Sequence, residues 1–369
     1  MKNKRILFIE HILPTFDQDA GSYISFQYLK ILKELGADVT FWPNDLKKRQ
    51  PYHDKLLKLG IKPITFDNIH PNQSLNVFKQ FICSASNDFD YIILSKPDIA
   101  IKYLPIVQIA SNAKIIYLAH DLHYLRMNRA KETTKDIQYN NTISKQQELD
   151  IMNKSAITLL FSDDEKKILH NENNFLKTET IPWIQAINTN SPKIRNNKNI
   201  LFLGGFWHAP NVDAVIWFHD TILPLLQQAD PDIKISIIGS NPVPKINKLH
   251  KEKFIIHGFV ENLKPHFDKS KIFISPLRFG AGFKGKIAMA MSFGIPVVTT
   301  PIGAEGIGLQ HNHSACIADN STNFANHILE LLNNDRLCKK MASNSLNLLK
   351  NNFSFDIAKI KFNNIINNL

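Results

Sequence analysis

Short, β-branched apolar runs alternate along the chain with longer stretches whose apolar positions recur three and four residues apart. Runs of the first kind read as buried strands, and stretches of the second as amphipathic helices. The strands expected from this pattern are 5–9, 38–42, 63–66, 91–94, 114–118, 157–161 and 178–181. A second series follows at 199–203, 234–238, 254–256, 271–275, 296–299 and 315–317. Strands that are apolar on both faces, with helices between them, belong to parallel sheets covered on both sides. The first helix is the clearest. Asp19 or Ser22 caps it, Ile24, Tyr28, Leu29, Leu32 and Leu35 form its apolar stripe, and Gly36 ends it.

The alternation breaks at 182–198, where Pro182, Pro192 and a group of asparagines separate the two strand series. That composition reads as an interdomain linker. The expected partition is an N-terminal α/β domain at 1–185, a linker at 186–198, a second α/β domain at 199–350 and a terminal helix at 351–369. The last carries Phe355, Ile357, Ile360, Phe362 and Ile365 at helical spacing and is expected to cross back to the N-terminal domain. Two doubly wound, Rossmann-like parallel sheets facing a central cleft would bind a ligand at the carboxyl ends of their strands.

A chain of 369 residues, 44% of them hydrophobic, has material for more than one core. No apolar run approaches the roughly 18 residues of a membrane span. The basic start, Met1 to Arg5, leads straight into a strand rather than into a signal-peptide core. Cys83, Cys316 and Cys338 lie too far apart for a disulfide framework or a zinc site, so the reducing cytoplasm is the expected compartment. The net charge of +11 leaves two readings open, a generally lysine-rich surface or a basic face held against anionic lipid on the inner side of the cytoplasmic membrane. The basic residues are scattered and match no nucleic-acid motif, so nucleic acid is not an expected partner.

The richest chemistry lies in Ser275-Pro-Leu-Arg-Phe-Gly-Ala-Gly-Phe-Lys-Gly-Lys286, between a strand and a short helix stopped by Gly294. Glycines let backbone amides approach a ligand, and the helix N-terminus adds a partial positive charge. Arg278, Lys284 and Lys286 add full charges, and the sum suits a diphosphate. Asp17-Gln-Asp19, an Asp-x-Asp sequence, stands at the start of the first helix, where it reads as a cap, and no metal is expected.

Four segments in order carry a family resemblance: Pro14-Thr-Phe-Asp-Gln-Asp-Ala-Gly-Ser22, His120-Asp-Leu-His-Tyr-Leu-Arg126, Phe202-Leu-Gly-Gly-Phe-Trp-His-Ala-Pro-Asn-Val-Asp-Ala214, and 276–286 with 296–306. Through them nearly the whole chain resembles the GT-B-fold glycosyltransferases of family 4, the group 1 glycosyl transferases of bacterial surface-polysaccharide synthesis. The resemblance implies transfer of a sugar from a nucleotide-diphosphate donor to a hydroxyl of a glycan or lipid-linked acceptor, in O-antigen or capsule-type synthesis. It implies a retaining outcome, with no obligatory metal and no cofactor.

It also implies roles. Gly21 and Ser22 meet the diphosphate. His120 meets the donor sugar or its leaving group, with Asp121 orienting His120 or His123 or capping the next helix. His123 and Arg126 shape the acceptor side. From their own setting, Gly204 and Gly205 end a strand and are expected to offer donor-side amides, and Asn211 is expected to cap a helix at 212–226. Trp207 is expected to pack in the core or between domains, with a base-stacking platform as the alternative. Arg278, Gly282, Phe283, Lys284 and Lys286 hold the nucleotide diphosphate, Lys286 acting catalytically with His120 and Asp121. The chain departs from the family where a Glu, seven residues and a second Glu are usual: Ala281 and Met289 stand there, and Glu305 is the carboxylate expected to take over one of those roles. A catalytically silent nucleotide-sugar-binding protein and a nucleotide-sugar epimerase remain as alternatives.

Overall fold

The computed structural model describes residues 1–67, 74–84, 89–133, 143–189, 191–193 and 195–369. The chain falls into two compact units. The first comprises Met1–Tyr124, Asn140–Ile184 and Phe355–Leu369, and the second Leu125–Tyr139 and Gln185–Ser354.

Unit 1 is built on β1 (Arg5–Glu10), β2 (Asp38–Pro43), β3 (Ile61–Pro63), β4 (Tyr91–Ser95), β5 (Lys114–Leu118), β6 (Ile157–Leu160) and β7 (Thr178–Thr180). They form one parallel sheet in the order β3-β2-β1-β4-β5-β6-β7. The third strand lies earlier than the expected 63–66. Ile61 is buried and pairs with Val39, whereas Phe66 makes only an isolated bridge to Lys47. Pro63 pairs with Phe41, whose carbonyl accepts the Ile64 amide at 2.9 Å, and the ladder ends there. The side chains of Ile6, Leu7, Phe8 and Ile9 are at most 1% exposed. Burying each is worth about 1.5–3 kcal/mol, and together they fix the carboxyl end of β1, where Glu10 stands.

Unit 2 is built on β8 (Asn199–Leu203), β9 (Lys234–Ile238), β10 (Phe254–Gly258), β11 (Ile272–Ser275), β12 (Val297–Thr299) and β13 (Cys316–Ile317). The order is β10-β9-β8-β11-β12-β13, again all parallel. Both sheets are therefore doubly wound, with strand order reversing between β1 and β4 in one and between β8 and β11 in the other. Crevices at the carboxyl ends of such strand pairs are where open α/β sheets bind ligands.

The terminal helix, Phe355–Asn367, belongs to unit 1. The Phe362 ring lies 5.4 Å from that of Tyr28, and Lys359 pairs with Glu34 at 2.7 Å. The stretch at 185–198 is bound to unit 2: the Asn188 and Thr189 amides donate to the Ser292 carbonyl at 3.0 and 3.1 Å, and Arg195 Nε donates to the Asp268 carbonyl at 3.0 Å. Among the described residues, no helix is long and apolar enough to cross a membrane.

Candidate functional site

In unit 1 the strand-order reversal gathers four groups that are far apart in sequence. Glu10 ends β1 and is buried. Its Oε1 accepts from the His11 amide at 2.9 Å and pairs with Lys96 Nζ at 3.0 Å. Its Oε2 accepts from Ser25 Oγ at 3.0 Å and from Ser95 Oγ at 2.5 Å. Burial alone would raise the Glu10 carboxyl, but the charges of Lys96 and His120 and these hydrogen bonds bring it down to about 2. Lys96 follows β4 with φ +74° and ψ 151°, a backbone region that side chains rarely adopt and that costs about 1–3 kcal/mol. Its ammonium meets the buried Glu10 carboxylate while a quarter of the Lys96 side chain stays exposed.

His120 follows β5, and its Nε2 lies 3.0 Å from Ser95 Oγ. Burial, and next the Lys96 charge, push the imidazole down to about 4, against the opposing pull of Glu10 and Asp121. It is therefore neutral at pH 7. Gly21 opens the first helix, Ala20–Glu34, whose N-cap is Asp19: the carboxylate accepts from the Ser22 amide at 2.8 Å. A side-chain carbon built on Gly21 would lie 3.3 Å from Asp19 Oδ1, 3.7 Å from His120 Nδ1 and 3.8 Å from Lys96 Nζ. The structure thus brings Gly21, Ser22 and His120 into one neighbourhood and adds Glu10, Ser95 and Lys96, which sequence reasoning missed.

The turn after His120 is held by carboxylates from elsewhere in unit 1. Glu165 accepts the Leu122 amide at 2.9 Å, and Glu148 accepts the His123 and Tyr124 amides at 3.2 and 3.1 Å. Both carboxylates thereby hold the N-terminus of the helix His123–Thr133. Asp121 lies 3.2 Å from His123 Nε2. Burial raises the Glu148 carboxyl to about 7, against the lowering effect of His123 and the two amides. Arg126 is half-buried on the same helix.

In unit 2, the helix Gly285–Ser292 starts directly after the glycine loop. Gly280 and Gly282 stand at φ +148° and +70°, conformations that suit glycine. The three cations are not loose surface charges. Arg278 clasps Asp213, its Nε donating at 2.9 Å with a second, very short contact through Nη2. Lys286 Nζ donates to Asn211 Oδ1, and Lys284 Nζ donates to the Gly282 carbonyl at 2.6 Å. Burial, and then the neighbouring Lys284, press the Lys286 ammonium down to about 7. Two amines held together in a site shielded from water, with the Glu305 carboxylate 3.9 Å from one of them, would gain from a further anion beside Lys286.

Several expectations are corrected here. Asn211 does not cap a helix: it lies within Ala209–Trp217, whose N-cap is His208, and bridges Lys286 to the Gly205 carbonyl at 2.8 Å. Trp207 does not pack in a core; it is 71% exposed, its indole nitrogen lying where a Gly205 side chain would be. The Phe283 ring is buried 5.1 Å from Phe353, which leaves only its backbone to serve a ligand. Carbons added at Gly204 and Gly205 would lie 2.7 Å from the Asn211 side chain and 2.6 Å from that of the exposed Trp207, so a substitution at Gly204 would displace the residue that holds Lys286. Glu305 is engaged on both oxygens by Arg129, at 2.7 and 2.8 Å, and lies 3.9 Å from Lys284. Arg129 also donates to the Gly280 carbonyl at 2.9 Å, tying the loop to that carboxylate.

Residues 197–334 match the family described as "Glycosyl transferases group 1". A protein of Klebsiella pneumoniae, described as an uncharacterized 44.6 kDa protein in the cps region, is 32% identical over 167 residues, which is 43% of each chain. Three solved structures share the fold. Sucrose-phosphate synthase of Thermosynechococcus elongatus aligns with a TM-score of 0.75 at 12% identity, covering 99% of both chains. HepE of Anabaena, in complex with UDP-glucose, gives 0.72 at 15% identity over 99% of this chain and 100% of its own. A TarM mutant of S. aureus, in complex with Fondaparinux, alpha-GlcNAc-glycerol and UDP, gives 0.74 at 14% identity over 99% and 100%. The fold is the GT-B fold of these glycosyltransferases.

Proposed function

We propose that this chain, whose stretch 197–334 belongs to the group 1 glycosyl transferases, moves a hexose from a nucleotide-diphosphate sugar to a hydroxyl of a glycan or lipid-linked acceptor. The observation that carries the reading is the loop at 278–286, where Arg278, Lys284 and Lys286 surround the start of a helix. A departing diphosphate needs its growing charge balanced, and fixed cations with open amides do so without reorganising. For the same reason we assign the reaction no metal and no cofactor. Solved neighbours described with UDP and with UDP-glucose favour uridine as the base.

In unit 1, His120, neutral at pH 7 and braced through Ser95 and Glu10, serves the transferred sugar, and Asp121 serves through His123. Gly21 and Ser22 present the open start of their helix to the donor. His123 and Arg126 face the acceptor. The outcome is retention at the anomeric carbon. The cps-region relative supports a role in surface-polysaccharide synthesis, and the charge of +11 supports work on the inner face of the cytoplasmic membrane, against anionic lipid.

The test is a thermal-shift panel of UDP, GDP, ADP, CMP and dTDP, followed by turnover of the matching nucleotide sugar. Ligand binding to the native state raises its apparent stability. The reading expects one base to stand out and its sugar nucleotide to release nucleoside diphosphate when acceptor is present. Binding without turnover on any acceptor would make the chain a nucleotide-sugar-binding protein. A free sugar isomer formed without acceptor would make it an epimerase.

A further inference from the structure

The hydrogen bonds around Glu10 fix the direction of a proton. An ionised carboxylate only accepts. Ser95 Oγ lies 2.5 Å from Glu10 Oε2, so Ser95 directs its single hydroxyl proton to Glu10. The same oxygen lies 3.0 Å from His120 Nε2. With its proton already directed elsewhere, Ser95 accepts at that contact, and Nε2 carries the imidazole hydrogen. Nδ1 is left as an acceptor, and no hydrogen bond engages it among the described residues. Nδ1 lies 3.7 Å and Lys96 Nζ 3.8 Å from the point that a Gly21 side-chain carbon would take, and Asp19 Oδ1, which already accepts the Ser22 amide, lies 3.3 Å from it. Lys96 gives one contact to Glu10 Oε1 and retains donor capacity beyond it.

We propose that Glu10 and Ser95 are positioning residues that hold His120 as its Nε2–H tautomer, so that Nδ1 and the Lys96 ammonium form an acceptor–donor pair over Gly21 complementary to a substrate hydroxyl. A hydroxyl gives its proton to Nδ1 and accepts one from Lys96. A phosphate oxygen, with no proton to give, does not satisfy Nδ1. Only the origin of the hydroxyl, a sugar, rests on the transferase reading; the proton arrangement stands apart from it.

The test is 15N NMR of the full-length, histidine-labelled protein at pH 7.5. His120 is identified among the fourteen histidines by its loss in His120→Asn. The groups that face it are Glu10, Lys96, Asp121 and His123. The wild type is expected to show Nε2–H. Glu10→Gln is expected to reverse it. The amide oxygen stays on Lys96 and the NH2 faces Ser95, which then accepts from the amide and donates to Nε2, moving the hydrogen to Nδ1. On whichever nucleotide sugar proves active, kcat/KM of Glu10→Gln is expected to fall at least tenfold. If Glu10→Gln does not fold, Ser95→Ala is expected to populate both tautomers. Nδ1–H in the wild type, or Nε2–H unchanged in Glu10→Gln or in Ser95→Ala, overturns the proposal. A reversed tautomer with full kcat/KM overturns its hydroxyl pair and leaves the transferase reading standing. The expected tautomers in a protein that turns over no nucleotide sugar uphold the proton arrangement and count against the transferase reading.

Discussion

Binding of UDP is expected to draw a proton onto Lys286. Burial and the adjacent Lys284 hold that ammonium down to about 7 in the free protein. At pH 8 roughly 90% of the molecules therefore carry it neutral, and a diphosphate beside it restores the ordinary value near 10.5. Binding then takes up about 0.9 proton at pH 8, about 0.5 at pH 7 and about 0.1 at pH 6. By linkage the apparent Kd weakens about eightfold between pH 7.5 and 8.5. UDP itself contributes little in that window, because its terminal phosphate loses its second proton near pH 6. The assay is isothermal titration calorimetry with UDP in buffers of different ionisation enthalpy, repeated on Lys286→Met. The substitution keeps an unbranched apolar side chain and removes the Nζ that lies 4.9 Å from the centre of the Phe202 ring, so both the uptake and the pH slope should vanish. Zero uptake by the wild type at pH 8, or equal uptake by Lys286→Met, would refute the placement of Lys286 at the anion.

Gly21→Ala adds a carbon within 3.3–3.8 Å of Asp19, His120 and Lys96 on a helix that tolerates alanine. Turnover is expected to fall at least about tenfold with the melting temperature nearly unchanged, and unaltered turnover would show that no substrate atom enters that space. Lys96→Met leaves Glu10 buried without its cation and is expected to cost roughly 3 kcal/mol in denaturant unfolding; a loss under about 1 kcal/mol would show that the pair does not hold Glu10 in place. Between pH 4.5 and 6.5 two linkages oppose each other. His120, lowered in the fold to about 4, makes acid destabilising, whereas Glu148, raised to about 7, makes acid stabilising. Glu148 is common to both proteins, so His120→Asn is expected to gain melting temperature relative to wild type as pH falls from 6.5 to 4.5, and a constant difference between the two would contradict the assignment of His120. Arg129→Lys keeps the charge but loses the two-point grip on Glu305, so UDP affinity is expected to drop by about threefold to tenfold; calorimetry showing wild-type affinity would make the clasp irrelevant to the loop.

The sheets were legible because their signal is local. Runs such as Ile6–Ile9 and Ile235–Ile238 are apolar on both faces, and that pattern has few uses other than a buried parallel strand. The signal failed at 63–66, where an apolar, β-rich run follows a proline and pairing was already satisfied by Ile61. Asn211 was misjudged for the same reason in reverse. It has the composition of a helix cap, but Pro210 starts the helix earlier and frees its side chain to bridge Lys286 and Gly205. Trp207 has the size of a packing residue, but it is 71% exposed and lies over Gly205. Glu10 and Lys96 left one usable trace, a single charge at the end of an apolar strand. Their meeting depends on β1 and β4 becoming neighbours, which is a property of topology and not of any segment.

The most direct measurement is a crystal structure of the protein grown with UDP at pH 7. The account predicts diphosphate oxygens within hydrogen-bond distance of Lys286 Nζ and of amides in the 282–286 loop, with Arg278 still clasping Asp213 or turned onto the phosphate. Nucleotide bound with its diphosphate away from that loop, while Lys286 keeps only Asn211, would contradict it.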